Sequence, residues 1–429
     1  MDGWPKGVNN RLRETETEAA GKNEFEIPSS PWLRGAVNVD LTQRGHPLRR
    51  TGYTELFTGF THSLWSDPAI DYGLCVKDGW LTLVDASNGV TETQVQEVNP
   101  HYPVSYAVMN GEVYWSNGES LGRISKQREA LHWGMDRSSV PGVAAIANGG
   151  MHAGTYQVAV TYEDLDEIEN GACEPQVVAV ATGQGVRVVL GTPPANAVTA
   201  NIYLTQSDSE VFYLARSVAV GTAQVDIGIG DLGRGRLLET RDRHPPKAGH
   251  IVRSFAGRLY VARFDTVGFT DPVRYHLMQP SQGLFMFPDM PTLLEPTQDG
   301  LYVGGSFGVV FIQGTDPYNV SQTAVSVHAP VERANMQAPG AWFGVNARQV
   351  PLWWGQDGVL VAGLPGGQIR ELTRDRLAVP THQVGAMMLR EREGMSHVVS
   401  VLRRGVEENN LAATDTVVAE VRRNCIKLN

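Results

Sequence analysis

Apolar and polar positions alternate along this chain in short runs, and most runs end at a turn built on glycine. In VRSFAGRLYVARFDTVGFTDP (252–272) the alternation reaches Phe255, turns at Ala256-Gly257 and leaves through residues 258–262. The phrase recurs. YGLCVKDGWLTLVD turns at Gly79, SYAVMNGEVYW at Asn110-Gly111, LLEPTQDGLYVGG at Asp299-Gly300 and VPLWWGQDGVLVAG at Asp357-Gly358. Asn-Gly or Asp-Gly between alternating runs is a strong hairpin signal, because both central residues of the favoured turn need positive φ. In four copies a second glycine-bearing turn and a third apolar strand follow, at Gly118, Gly268, Gly308 and Gly366-Gly367. Repeated antiparallel units of this size predict the blades of a β-propeller, although no strict period holds.

Between residues 149 and 240 the texture changes. Tyr156, Val158 and Val160 alternate, as do Val186, Val188 and Leu190, followed by 202–204 and 212–214. Six or seven short strands with regular turn signals predict a small β-sandwich, and propeller-like phrases on both sides make it an insertion. The expected fold class is therefore all-β: a β-propeller-like domain interrupted by an inserted immunoglobulin/fibronectin-III-like β-sandwich. Residues 1–30 form an extended N-terminal arm, 31–148 the first part of the propeller, 149–240 the sandwich, and 241–429 the second part with closing C-terminal strands. Within these, AVNVDLTQRGHPLRR is a hairpin about Arg44-Gly45, and GAMMLREREGMSHVVSVLRR another about Glu393-Gly394. The last strand, in DTVVAEVRRNCIKLN, is expected to close the propeller by joining its first blade.

Composition narrows the function classes. With 42% hydrophobic and 19% charged residues in 429, the chain is globular, and 46 Gly with 24 Pro suit many turns. A net charge of -10 disfavours gripping of a nucleic-acid duplex, which calls for a basic surplus. Cys75, Cys173 and Cys425 form no C-x-x-C pair, so neither a disulfide framework nor a zinc site is expected. MDGWPKGVNN lacks the apolar stretch of a signal peptide and no run is long enough for a membrane span, which predicts a product made in the cytoplasm without stable membrane insertion.

WPKGVNNRL, GAVNVDLTQRGHPLRRTGYTEL, AGRLYVARFDTVGFTDP and TQDGLYVGGSFGVVFIQGTDP, in that order, resemble a family of bacteriophage virion proteins. These are the tail nozzle or tail-tube-end proteins of short-tailed phages, with a β-propeller and an inserted fibronectin-III-like sandwich. GTYQVAVTYEDLDEIENGACEP and NIYLTQSDSEVFYLA resemble the inserted sandwich. The resemblance implies a structural virion protein of the tail, a conduit for DNA ejection and an attachment platform. It implies a homo-oligomeric ring, commonly a hexamer, meeting the portal and its adaptor, other tail proteins and fibres, and passing DNA without sequence-specific binding. A net-acidic protein suits that task, since each phosphate paired with Lys or Arg would add affinity and brake the DNA. Two rivals share the fold class: a glycan-binding or glycan-cleaving propeller, and a long-tail tip or receptor-binding protein. The Asp-box turns of sialidase-like propellers are not found here.

No residue is nominated as catalytic, cofactor-binding or metal-binding, and no enzyme activity is expected. GIGDLG (228–233) satisfies G-x-G-x-x-G, but Arg234-Gly235-Arg236 follows where a dinucleotide site needs a helix, so it is read as the exit loop of the sandwich. GGSFG (304–308) satisfies G-x-S-x-G, but a β-branched and aromatic run follows Gly308 where a nucleophile elbow needs a helix, leaving Ser306 in a strand-to-strand turn. The acidic loop 163–169, EDLDEIE, offers oxygen ligands for Ca²⁺ without the spacing of an EF-hand, and reads as a solvated hairpin tip or a contact for a neighbouring subunit. Trp115 and Trp353-Trp354 read as core rather than sugar platforms. Arg49-Arg50 and Arg403-Arg404 read as solvated pairs that can also meet acidic patches across an interface.

Overall fold

A computed structural model describes residues 11, 39–41, 47–49, 58–85, 91–377, 379–392, 395–403 and 421–422. The chain is all-β, and each of the five recurring phrases forms one four-stranded antiparallel meander of propeller-blade type. The first sheet runs Thr61–Ser66, Gly73–Lys77, Trp80–Asp85, Thr91–Glu97, and the second Ser105–Met109, Glu112–Ser116, Leu121–Ile124, Ala130–Leu131. The third runs Ile251–Phe255, Arg258–Arg263, Thr266–Phe269, Leu284–Met286. The fourth runs Leu293–Pro296, Gly300–Gly305, Gly308–Gln313, Ser321–Ser326, and the fifth Pro330–Pro339, Gln349–Gly355, Leu360–Gly363, Ile369–Glu371. Sheets one to three and the sandwich fall in one compact unit, and sheets four and five in another.

The turns divide into two kinds. At Asp78-Gly79, Asn110-Gly111 and Ala256-Gly257 both residues have positive φ and the flanking pairs leave two-residue loops, the geometry that matches strand twist. The other two differ from the expected corners. Gly300 is already a strand residue paired with Gln313, so its turn lies at 297–299, while Gly358 (φ 76) ends a longer turn after Gly355. Gly268 also lies within a strand rather than at a corner.

Alternation explains the packing. In the second sheet Tyr106, Val113, Trp115 and Ile124 face the first sheet, against Leu74, Val76, Leu81 and Leu83. Ala107 and Tyr114, at the intervening positions, face the third, against Val252, Leu259 and Val261. A sheet buried on both faces needs apolar residues at successive positions, hence runs such as Val113-Tyr114-Trp115. The Trp115 ring lies over its strand partner Gly122, where a Cβ would fall 2.9 Å from the indole.

The sandwich begins at Gly142, before residue 149, because Gly142–Ile146 pairs with Gly185–Val189. Its first, fourth and seventh strands (Gly142–Ile146, Gly185–Val189, Gln224–Ile227) form one sheet. The other runs third, second, fifth, sixth: Gln176–Val180, Gly154–Glu163, Thr199–Thr205, Phe212–Ala219. The architecture is immunoglobulin-like, whereas the strand order differs from the 1-2-5-4 and 3-6-7 sheets of constant-type domains. Tyr156, Val158, Val160, Tyr162, Ile202 and Leu204 meet Val186, Val188, Val225 and Ile227 in the core. The opposite face, with Ala159, Tyr203 and Phe212, is covered by Leu238 as the chain leaves.

In the second unit, Tyr302 packs on Trp353 and Phe311, with ring centroids 5.3 and 4.7 Å apart. Its Oη lies 2.5 Å from Leu364 O and 2.8 Å from Gln368 O, tying the fourth sheet to the fifth. The strand Pro330–Pro339 bulges between Pro330 and Asn335, with Arg333 at φ 60, and Glu332 is thereby released to bridge Val384. A hairpin, Val384–Arg392 with Met395–Arg403, extends the fifth sheet from that edge, and Trp354 Nε1 donates to Ser400 Oγ at 2.9 Å. The terminal strand Val421–Arg422 pairs with this hairpin and not with the first sheet. The hairpin edge is close in sequence, and closing the shorter loop loses less entropy. Val39–Leu41 pairs with Pro47–Arg49 about the expected N-terminal corner. Arg44-Gly45, Arg50, Glu393-Gly394, Arg404, Cys425 and all of the arm but Arg11 lie outside the described residues.

Three substitutions, each followed by urea titration, test this account. Gly122→Val should lower stability by about 1–3 kcal/mol through overpacking against Trp115 and alter the near-UV circular dichroism. Gly230→Ala, which meets nothing within 4 Å, should change it by less than about 0.5 kcal/mol in the same urea titration. Ala256→Asn should raise stability by up to about 1 kcal/mol, because Ala256 holds φ 47 without a side chain suited to it.

Candidate functional site

The residues that carry recognisable motifs are spread apart and engaged in structural bonds. In GIGDLG a single 3-10 turn, Ile229–Asp231, stands where a dinucleotide site needs a helix. Gly228 N donates to Asp231 Oδ2 at 2.9 Å and Arg216 to Asp231 Oδ1 at 2.8 Å. The chain then becomes a strap, with Leu214 N bonded to Arg236 O and Leu238 N to Phe212 O. Ser306 sits in the turn between Gly300–Gly305 and Gly308–Gln313, and its Oγ donates to Asp289 Oδ2 at 2.6 Å. That bond and Met290 N hold the Asp289 carboxyl below its usual range, so it accepts from Ser306 as an anion. Trp115, Trp353 and Trp354 are buried in the cores. Cys75 and Cys173 are buried free thiols, both pushed up chiefly by burial.

The structure does bring polar groups together where the sandwich meets the second and third sheets. The acidic loop contributes the first part. Its apex is exposed, with Leu165 86% accessible, but its flanks are docked, which corrects the reading of a simply solvated tip. Asp164 Oδ1 caps the loop by accepting from Asp166 N and Ile168 N, both at 2.9 Å. Asp166 accepts from Arg123 Nη2 at 2.9 Å. Arg123, on the strand Leu121–Ile124, also holds Glu112 at 3.0 and 3.2 Å and donates Nε to His132 O at 3.2 Å. Glu169 accepts from Thr161 Oγ1 at 2.5 Å and Tyr203 Oη at 2.8 Å, while Arg236 pairs with Glu163 and lies 3.5 Å from Glu169. Burial and then Glu169 push the Tyr203 phenol well up, so it remains a donor. Of the carboxylates that resemble cation ligands, Glu163, Asp166 and Glu169 therefore face arginines or hydroxyl donors, and Asp164 faces backbone N–H groups. Among the described residues no group of three or more His, Cys, Asp or Glu is placed to hold a metal ion.

Behind the loop lies a second layer. Arg137, just before the first sandwich strand, donates Nε to Ala172 O at 2.5 Å and Nη2 to Glu174 at 3.1 Å, and its Nη1 lies 3.1 Å from His244 Nε2. The fully buried Asn170 accepts from Tyr162 N and donates to Asp136 O, both at 2.8 Å. His276 Nε2 lies 3.0 Å from Glu169 O, and burial holds that imidazole below its ordinary value. Gly171 is pressed onto Arg243 O, where a Cβ would fall 1.8 Å away, so no other residue fits. A shallow groove of about 270 Å³ runs beside this layer, between parts of 132–137 and 192–196.

Sequence reasoning nominated none of Arg123, Arg137, Arg236, His244 and His276. One signal was available: Arg123 stands in an otherwise apolar strand, and a charge there needs a buried partner. The joint distributes fixed charges and donors over opposing backbone carbonyls and carboxylates, which is chemistry for holding two bodies together.

No family profile matches the chain, and no curated protein matches it. Similar solved structures include "Crystal structure of BBS1N in complex with ARL6DN, soaked with lead", 11% identical over 80% of this chain and 90% of that one, with a TM-score of 0.31. The mercury-soaked form of that complex is 10% identical over 78% and 90%, with a TM-score of 0.26.

If Arg123 holds the joint, its loss strands Glu112. Arg123→Ala should cost roughly 3 kcal/mol in urea unfolding, as when one partner of a buried pair is removed. Asp166→Asn removes only the exposed partner, whose side chain is 56% accessible, and should cost less than about 1 kcal/mol. Equal effects would show that Arg123 is not the anchor.

Proposed function

We propose that this protein is a non-enzymatic structural component of a bacteriophage virion. It forms the nozzle or distal ring of the tail, a conduit for DNA ejection and a platform for other tail parts. The observation that carries the reading is the union of propeller-like sheets with an inserted sandwich fixed to them by a polar joint. A wall that must stay open while DNA passes needs modules held in fixed relation, and Arg123, Arg137, Asn170 and His276 supply that hold. The ordered resemblance of the chain to tail nozzle proteins supplies the context. Copies would assemble as a ring, six by that resemblance, in contact with portal or adaptor on one side and fibres on the other. The protein would be made in the host cytoplasm and built into the tail.

The charge supports the same reading. A net charge of -10 gives passing phosphates little to hold, and a conduit works by not binding its cargo.

Antibody-gold labelling of phage particles from a producing culture, viewed by electron microscopy, tests it. Gold at the free end of a short tail is the expected result. Unlabelled particles with the protein confined to the soluble lysate would overturn the virion assignment. Gold at the tip of a long tail would overturn the nozzle assignment in favour of a receptor-binding role.

A further inference from the structure

One hydrogen bond in the sandwich joint exists only while a histidine is uncharged. A guanidinium has no acceptor, so His244 Nε2, 3.1 Å from Arg137 Nη1, must offer its lone pair. The same guanidinium reaches the sandwich at Ala172 O and Glu174. His244 is anchored on the other side, since its backbone exchanges both hydrogen bonds with Met278, at 2.9 and 2.8 Å. Arg137 therefore joins three segments: its own, which enters the sandwich, 172–174 within it, and 244, which leads away to the third sheet.

We propose that His244 is an acid-operated latch: protonation of its imidazole expels Arg137 from the joint and loosens the hold of the sandwich on the sheets beside it. A proton on Nε2 removes the lone pair and sets two cations within hydrogen-bond distance. The charged groups facing His244 are Arg137 and Lys247, which oppose protonation, and Glu174 and Asp242, which favour it. Burial comes first and, with the two cations, outweighs the carboxylates, holding the imidazole below its ordinary value. For a base depressed on folding, the stabilisation is fully present above the unfolded value, roughly 6.5, and is lost as pH falls through the lower folded value. His276, faced by Asp164, Arg274 and Arg123, has the same sign. Its bond to Glu169 O needs only a donor and survives protonation, so it is not the trigger.

The test uses the full chain with nitroxides at Gln127→Cys, in the second sheet's last turn, and Glu210→Cys, in the sandwich, with Cys425→Ser. Cys75 and Cys173 are buried. Pulsed electron resonance should give one narrow distance at about pH 7.5. It should give a distribution about twofold broader at about pH 5, or at whatever pH the His244 NMR shifts show the ring charged. His244→Gln, which can still accept from Arg137 but cannot be charged, should stay narrow at both, with a melting curve confirming its fold. Arg137→Gln, which leaves no charge to expel, should likewise lose the acid response. A wild-type distance that stays narrow once His244 is charged would overturn the latch. So would acid broadening that persists undiminished in His244→Gln.

Discussion

In the first four sheets the first strand is paired on one side only, and buried backbone groups left unpaired on the other side are costly. Satisfying those edges is the constraint on which the rest of the structure depends. In the first unit the second and third sheets meet through serine hydroxyls. Ser105 Oγ lies 2.9 Å from Val252 N, and Ser116 Oγ exchanges bonds with both backbone atoms of Gly249, at 2.7 and 3.0 Å. In the other unit Glu295, 2% accessible, accepts from Asn335 Nδ2 and Gln337 Nε2, both at 2.6 Å. A hydroxyl or carboxylate here takes the place of a neighbouring strand. Full strand pairing would merge successive sheets into one, whereas side-chain bonds join them while leaving their faces to pack.

This explains which parts of the fold the sequence revealed. Turn chemistry is local, so Asn110-Gly111 and the Gly257 corner were legible as hairpins, and all five phrases correspond to sheets. Where a turn is longer than two residues the glycine loses its fixed place, and Gly300 moves into the strand. Two-sided burial was legible from successive apolar positions, and so was the core position of Trp353 and Trp354. The joint was not. Arg123 and Asp166 are 43 residues apart, and Arg137 and His244 are 107 apart. No local rule pairs such residues, because their meeting depends on how the sandwich docks. The acidic loop misled for the same reason: EDLDEIE has the composition of a solvated tip, and only the arginines opposite it change its role.

The joint also shows why charge is tolerable there. Arg123 is nearly buried, with a side chain 10% accessible, and a guanidinium in that position requires several acceptors in its own plane. Glu112, Asp166 and His132 O provide them. Replacing the set by apolar residues would cost little in free energy, but apolar surfaces slide and rotate, whereas a fork of directed hydrogen bonds admits one orientation. Orientation, more than stability, is what a rigid module needs from such a contact.

An insertion between the second and third sheets ought to weaken the seam across which Ser105 meets Val252, since 147 residues separate them. Loop closure would cost entropy that grows with the logarithm of that length if the intervening chain were flexible. It is not flexible. The first and seventh sandwich strands run parallel, one on each side of the fourth, so the chain enters at one end of that sheet and leaves at the other, and the strap at 236–238 then lies along 212–214. A folded sandwich with its strap thus presents the propeller-like sheets with two nearby ends in place of a long loop, since residues 137 and 244 are in contact. Arg137 and His244, beside those two ends, then bind the entering and leaving segments to each other. Folding of the insert therefore prepays the closure of the seam, and whatever loosens the Arg137–His244 contact weakens the link between sandwich and sheets before it touches either core.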